Sequence, residues 1–587
     1  MRKVRGSLAV MALLLGSAAS ARPNIVVLVA DDWGFSDVGA FGGEMATPNI
    51  DALAGAGVRF SNFHVAGSCA PTRAMLQTGA PSHRAGLGNM PETIPPEHRG
   101  RPGYETEMSD RVTTIAERLR PAGYRTYFTG KWHLGHVPAN LPTGRGYDRA
   151  LALSQSGADN FANKPNLLLY DKADWTEDGK PAVLPKEFYS SRLIVDRMIE
   201  YLDGGDRGRP FLASVNFLAN HIPVQAADSD IAAYRGRYAG GWTRLRHERR
   251  AGAIARGVMP AGTAMVRMGS TPDWDGLKPE QRAQRARAME AYAAMATAMD
   301  REIGRLVAHL KASGQYEDTI FVFLSDNGGE AIDPMAQAFT RLNAQYLYDT
   351  RPQEQGRPGS LTAIGAGFAS AVSSPLRGYK FSASEGGLRV PMIVAWPGNP
   401  AVAKGIVAGG FAHVVDVVPT LLAATGVPLV GALAGHDLMP MLAGAAGVRG
   451  AAESLGYELS GNAVLFRGDL KLVRNLPPYG NGNWALYDIV RDPGETRDLA
   501  GAMPAAFAAM QAEYARWAKR EGVLAMPGEY SAPAQIRANA IDDLLWPRLQ
   551  PVLMWAAGGL GLVIGGVVAW RRRRAQSPGG GTKKPPA

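Results

Sequence analysis

A large α/β domain on a mostly parallel sheet, followed by a small antiparallel unit and a membrane-spanning helix, is the fold this sequence predicts. Three observations carry the reading. Apolar runs of strand length alternate with helical segments up to about residue 450, shorter strand-like runs crowd together after residue 451, and the uncharged stretch Pro551 to Trp570 stands directly before Arg571 to Arg574. Strands buried on both faces read as continuous apolar runs, and alternation with helices is the signature of a sheet covered on both sides.

In chain order, Arg2, Lys3 and Arg5 precede the apolar stretch Leu8 to Leu15 and the small residues ending Ala19-Ser20-Ala21. This is the pattern of a secretory signal over 1–21, with the mature chain expected to begin at Arg22. Asn24 to Ala30 and Thr319 to Leu324 are predicted strands, as are Arg125 to Thr129 and Pro210 to Phe217, and Gln281 to Lys311 reads as one long helix. Strands are predicted around Gly456 to Leu459, Leu470 to Val473 and Ala485 to Asp488, with a helix near Pro504 to Arg520. The expected division is a catalytic domain over 22–450, an α+β subdomain over 451–521, a linker over 522–548, a transmembrane helix over 549–570 and a basic tail over 571–587. An uncharged run of that length suits a bilayer span, and the positive-inside rule places the arginines in the cytoplasm with the body exported, periplasmic in a bacterium.

The apolar fraction of 46% supports a sizeable core and excludes disorder for most of the chain. Of the net charge of +10, nearly all comes from the two ends, where no acidic residue falls within 1–21 or 571–587. The body is close to neutral, so a nucleic-acid surface is not indicated.

Two predicted strands end in oxygen ligands. Asp31 and Asp32 follow the first, and Asp326-Asn327-Gly328 the later one. Ligands bind beyond the carboxyl ends of strands in open α/β sheets, so both pairs are delivered to one edge, where an all-oxygen set selects a hard cation such as Ca²⁺ or Mg²⁺. Lys131-Trp132-His133 also closes a strand, and an extended backbone sends Lys131 and His133 to the same side. His221 closes another, and Lys380 lies five residues before Glu385-Gly386-Gly387. Cys69 is the only cysteine. In an exported protein it has no internal partner, and Pro71 with the apolar run behind it predicts a helix N-terminus, where amide dipoles favour a thiolate or a bound anion.

The run Cys69-x-Pro71-x-Arg73, with those companions, resembles the type I sulfatases, the arylsulfatase-like branch of the alkaline phosphatase superfamily, from about Pro23 to about Leu499. Thr72 stands where serine is frequent, and Ala70 at another variable position. The resemblance implies an alkaline-phosphatase-like sheet sandwiched by helices, hydrolysis of sulfate esters, and a Cys69 oxidised to formylglycine by a maturation enzyme. Asp31, Asp32, Asp326 and Asn327, with position 69, are implied ligands of Ca²⁺, Mg²⁺ being the alternative. Arg73 and His133 are implied to position formylglycine, and Lys131, His221 and Lys380 to contact sulfate. Hydrated formylglycine is then expected to attack sulfur, with His221 protonating the leaving alcohol and His133 helping to expel sulfate. A phosphodiester or phosphonate monoester hydrolase of the same superfamily, and a membrane-tethered binder of sulfated glycans without turnover, are the alternatives. Specificity is expected in loops such as Trp242 to Trp274 and Ile332 to Ser374, which do not reveal which alcohol is released.

Overall fold

The computed structural model describes residues 22–576 apart from 167–169, 337 and 432, without the side chains of 339 and 556–561. The expected signal over 1–21 and the end of the basic tail, 577–587, lie outside the described residues. The strands of the main body are β1 (Asn24–Ala30), β2 (Gly57–Phe60), β3 (Phe63–His64), β4 (Arg125–Lys131), β5 (Arg149–Leu153), β6 (Trp175–Glu177), β7 (Lys180–Pro181), β8 (Phe211–Asn216), β9 (Thr319–Ser325), β10 (Met392–Ala395), β11 (Ile406–Ala408) and β12 (Ala412–His413). Ten of them form one sheet in the order β11-β2-β10-β9-β1-β8-β4-β5-β6-β7, and β3 pairs with β12.

The centre is parallel. β1 runs beside β9 on one side and β8 on the other, and β8 continues to β4 and β5, all in the same direction. β10 enters antiparallel between β9 and β2. All seven residues of β1 are buried. Its alternation divides the interior, with Val26 and Leu28 in the core on one face and Ile25, Val27 and Val29 in the core on the other. The long helix forms over Pro279–Ala312, with Pro279 in its first turn, where the missing amide hydrogen costs nothing. It covers the first face through Met289, Tyr292, Met295 and Ile303, while the helix Cys69–Thr78 covers the second through Ala70, Ala74, Met75 and Leu76.

After residue 451, β13 (Ser454–Leu459), β14 (Asn462–Arg467), β15 (Leu470–Arg474) and β16 (Trp484–Asp488) make an antiparallel meander. The helix Pro504–Glu521 lays Met510, Tyr514 and Trp517 against Ala463, Leu465, Leu472 and Leu486. Charge joins this unit to the main body. Lys471 on β15 is fully buried between Glu385, 2.8 Å away, and Glu495, 2.9 Å away, and Glu385 also meets His64 Nε2 at 3.0 Å. Removing one member of a buried ion pair costs about 3–5 kcal/mol because the other charge is left unpaired. Tyr457 on β13 makes a second join, its hydroxyl accepting from the Gly67 amide at 2.8 Å, while the Phe381 amide donates to the Gly67 carbonyl at 2.7 Å.

Two expectations for the C-terminus differ from the structure. The 522–548 region is not a free linker: the helix Ala532–Ala540 docks on the main body and passes through a π-helical turn, Ile541–Leu545, into the helix Trp546–Ala575. Buried Asn539 donates to the carbonyls of Glu92 and Ile94 at 2.9 and 3.0 Å, satisfying backbone groups that a helix end leaves open, and Tyr530 donates to the Thr93 carbonyl at 2.7 Å. Arg99 and Asp543 add a two-bond ion pair at 2.9 and 2.8 Å. Over 549–570 a helix is present, but among the described residues no helix is long and apolar enough to cross a membrane. Pro551 lies inside it, and six of the side chains in its apolar middle, 556–561, are outside the described residues.

Candidate active site

The register of the central strands builds the site. Ala30 pairs with Ser325 in β1 and β9, so the next residues, Asp31 and Asp326, leave the sheet at the same level. Gly130 of β4 pairs with Asn216 of β8, which brings Lys131 and the chain leading to His221 to that edge. Gly130 has φ +100, and a Cβ there would stand 1.7 Å from the Asn216 carbonyl oxygen, so only glycine permits this approach. The helix that begins at Cys69 points its N-terminus at the edge, and the loop before Glu385 brings Lys380. Asp32 (φ 62) and His133 (φ 57) adopt the left-handed conformation, uncommon for residues with a side chain.

The sequence-predicted residues gather there, all buried. Cys69 Sγ donates to Asp31 Oδ1 at 3.5 Å, and one ligand atom from each of Asp31, Asp32, Cys69 and His221 falls within 4.8 Å of the others. Asn327 Nδ2 donates to Asp32 Oδ1 at 2.7 Å, and the Asp32 amide to Asp326 Oδ1 at 3.3 Å. Arg73 holds Asp326 Oδ2 through Nε and Nη2, both at 2.8 Å, and donates to the Lys131 carbonyl at 2.7 Å. A lysine could not make this fork. Two oxygens in the cluster, Asp32 Oδ2 and Asn327 Oδ1, are buried with no hydrogen-bond partner. Buried polar atoms are nearly always satisfied, so a pair of orphaned oxygens beside further carboxylates fits a hard cation, the oxygens of Asp31, Asp32, Asp326 and Asn327 outnumbering the thiol of Cys69 and the imidazole of His221 nearby.

The cationic side chains frame this cluster. Lys131 Nζ meets Asp31 Oδ2 at 2.6 Å, and Lys380 Nζ meets Asp32 Oδ1 at 2.7 Å and Glu330 Oε2 at 3.1 Å. Burial opposes both ammonium charges, but Asp31 and Asp32 outweigh it and push the two lysines above their ordinary range. Burial, reinforced by Asp326, raises the Asp31 carboxyl to about 7. For Asp32 burial is outweighed by Lys380 and His221, which hold it at about 2.

Three side chains depart from the expected detail. Burial, reinforced by Asp326, pushes the Cys69 thiol well above its usual value, so the helix N-terminus does not produce a thiolate. His221 is held neutral by burial and by Lys380 and Lys131, and its Nδ1 hydrogen-bonds the Ile222 carbonyl at 2.8 Å. Its Nε2 faces Asp32 Oδ2, 3.8 Å away. His133 turns Nε2 to Glu92 at 3.2 Å, burial keeps its ring below the usual range, and its Nδ1 is buried without a hydrogen-bond partner. Glu92, which also accepts from Tyr170, and Glu330 belong to the site without having been expected. Neither stands in a motif; Glu330 reaches the site from a loop and Glu92 from the short 3-10 helix Pro91–Thr93.

A cavity of about 290 Å³ opens onto Lys380 and His221. Ile332, Asp333 and Pro334 of the second expected specificity loop line it, together with Ile536 and Ala540 of the C-terminal helix. The first expected loop contributes to the core. Its helix, Gly241–Ala255, turns Trp242 into the core, 4.7 Å from Trp274 and 5.5 Å from Phe368, and buries Arg249 against Asp37 and Glu44.

Residues 23–427 match the family model described as Sulfatase. An uncharacterized sulfatase of Schizosaccharomyces pombe is 35% identical over 545 residues, covering 88% of this chain and 97% of that protein. An arylsulfatase of Klebsiella aerogenes is 34% identical over 453 residues, covering 75% of this chain and 96% of the other. Among solved structures, Ps i-CgsB superposes with a TM-score of 0.62 at 24% identity, over 89% of this chain and 98% of that one, a likeness of fold.

Proposed function

This chain belongs to the sulfatase family, and from that premise we propose that it is an arylsulfatase-like hydrolase that uses formylglycine at position 69 and a bound Ca²⁺, with Mg²⁺ the alternative ion. The observation that carries the proposal is the pair of orphaned oxygens, Asp32 Oδ2 and Asn327 Oδ1, in a buried carboxylate cluster touching Cys69. The protonated thiol supports it too, because a cysteine kept from ionising is a poor nucleophile in its native form. Conversion of its CH₂SH group to an aldehyde is an oxidation, supplied by a separate maturation enzyme and an external oxidant.

Asp31, Asp32, Asp326 and Asn327 would hold the cation. It would supply neutralising charge at the sulfuryl oxygens, while the hydrated aldehyde would supply one hydroxyl to bond sulfur and a second to expel sulfate. The chain's own residues do the rest. Lys131 and Lys380, on opposite aspartates, present two fixed ammonium groups to an anionic ester, and preorganised charge of this kind is worth most where water is excluded. Arg73 locks Asp326 and the Lys131 backbone, so it orients both the cation ligands and the sulfate contact. An anionic ester between Lys131 and Lys380 offsets the charges that keep His221 neutral, which raises its proton affinity and prepares it to protonate the leaving oxygen. His133, steadied by Glu92, is the second proton carrier.

The test is a side-by-side assay of the purified protein on p-nitrophenyl sulfate, bis-p-nitrophenyl phosphate and a phenylphosphonate monoester. Turnover of the sulfate with the highest kcat/KM is expected. A preference for either phosphorus ester would assign the chain's chemistry to the wider superfamily instead.

Export is part of the same proposal and is supported by the sequence at both ends. The catalytic body would be periplasmic, with the helix Trp546–Ala575 in contact with the membrane. Fractionation of cells should place activity outside the cytoplasm. Alkaline carbonate should leave it in the pellet if the helix crosses the bilayer, whereas release would mean that the helix rests on the surface. Activity confined to the cytosol would refute export.

A further inference from the structure

The cavity beside the site is two-sided in chemistry. One end is made by Lys380 and His221, the proposed sulfate contacts. The surface of the remainder is largely apolar, with Met90, Ile222, Ile332, Phe381, Ile536 and Ala540 in its wall, and Ser156, Thr340, Asn343 and Arg537 add polar groups to the lining. Its acidic groups are engaged, Glu330 by Lys380 at 3.1 Å and Asp333 by Arg285 at 2.7 Å. Asn166 keeps one buried acceptor, Oδ1, without a hydrogen-bond partner. An engineered cavity of about 150 Å³ takes benzene, so one of about 290 Å³ has room for roughly two fused rings.

Part of this wall comes from beyond the family match, which ends at residue 427. Ile536 and Ala540 lie on the helix Ala532–Ala540, and the same helix packs Ile536 against the main core. Its position is set from several directions: by Asn539 on the carbonyls of Glu92 and Ile94, by Tyr530 on Thr93, and by Asp543 on Arg99. Glu92 is also the partner of His133, so the helix rests on the segment that steadies the proposed proton carrier.

We propose that the C-terminal helix Ala532–Ala540 is a specificity-determining wall of the substrate pocket, and that this wall selects sulfate esters of an apolar, fused-ring alcohol over sulfated sugars. The inference rests on the sulfatase reading above. A sugar ring would turn some of its hydroxyls to Ile332, Phe381 and Ile536, and those not met by the polar lining would lose water without gaining a partner, at a cost of about 1–3 kcal/mol per group. A fused aromatic or alicyclic ring buries apolar surface there instead, and one hydroxyl could donate to Asn166.

The experiment compares full-length protein with Ile536→Trp, which fills the pocket, and Ile536→Ala, which widens it, on p-nitrophenyl sulfate, 2-naphthyl sulfate and glucosamine 6-sulfate. Wild type is expected to favour naphthyl sulfate over the single ring and to leave the sugar sulfate almost untouched. Ile536→Trp should lower the naphthyl-to-nitrophenyl ratio of kcat/KM by about 10-fold, the lower end of what a change in pocket size achieves, mainly through KM. Ile536→Ala should lower the same ratio less. Equal changes on both aryl esters, or no change, would overturn the proposal, as would a wild-type preference for the sugar sulfate. Those outcomes leave the sulfatase reading standing, whereas wild-type protein that turns over none of the three sulfates but cleaves a phosphodiester refutes both.

Discussion

Cys69→Ala is expected to lower kcat by about 10⁴- to 10⁶-fold, the range that follows deletion of a covalent nucleophile. The variant should fold, because Cys69 is a small buried side chain whose one polar contact, to Asp31 at 3.5 Å, is long. Near-normal thermal stability with absent turnover is therefore the expected pair of results. Cys69→Ser should be equally inactive unless the host can oxidise serine. Mass spectrometry of the peptide containing position 69 provides the independent check, with an aldehyde expected in active protein. Full activity in protein carrying only unmodified cysteine would remove formylglycine from the mechanism.

Stripping divalent cations is expected to abolish turnover and to lower the melting temperature, with both restored by Ca²⁺. The sign of the stability effect follows from the cluster, since Asp31, Asp32 and Asp326 crowd buried oxygens together and leave Asp32 Oδ2 and Asn327 Oδ1 without partners. A cation that binds only the folded form stabilises it by mass action, by about 2.7 kcal/mol at 100 times its dissociation constant. Asp32→Asn and Asp326→Asn should each weaken that calcium-dependent gain. Elemental analysis showing stoichiometric zinc with neither calcium nor magnesium would contradict the oxygen-donor argument, and a melting temperature indifferent to chelation would deny the site any cation.

Much of the site was legible because its chemistry sits at the ends of apolar strands. Asp31, Asp32, Asp326 and Lys131 each terminate a run whose burial and direction follow from its residues, and parallel neighbours then bring those ends to one edge. The rest depended on contacts distant in sequence. Glu92 and Glu330 look like surface acids until the fold brings them against His133 and Lys380. The helix Ala532–Ala540 looked like linker because its anchor, Asn539, bonds to backbone carbonyls more than 440 residues earlier, which no local periodicity encodes. Trp242 and Trp274 were read as part of a specificity loop for a related reason: aromatic residues among arginines suit a substrate surface, and only their packing on Phe368 shows them in the core. The tautomer of His221 was also out of reach, since it turns on a hydrogen bond to the adjacent Ile222 carbonyl.

The joins between the small sheet and the main body also impose an order in time. Gly67, two residues before Cys69, is held by Phe381 and by Tyr457, and the neighbouring Glu385 waits for Lys471. Ribosomes deliver the chain from its N-terminus at about 5–20 residues per second, so tens of seconds pass between the emergence of position 69 and that of Tyr457 and Lys471. During that interval the loop before Cys69 lacks the contacts from Tyr457 and Lys471 that hold this region in the folded protein. The last part of the catalytic body to be synthesised thus sets when the loop that leads to position 69 takes its final place.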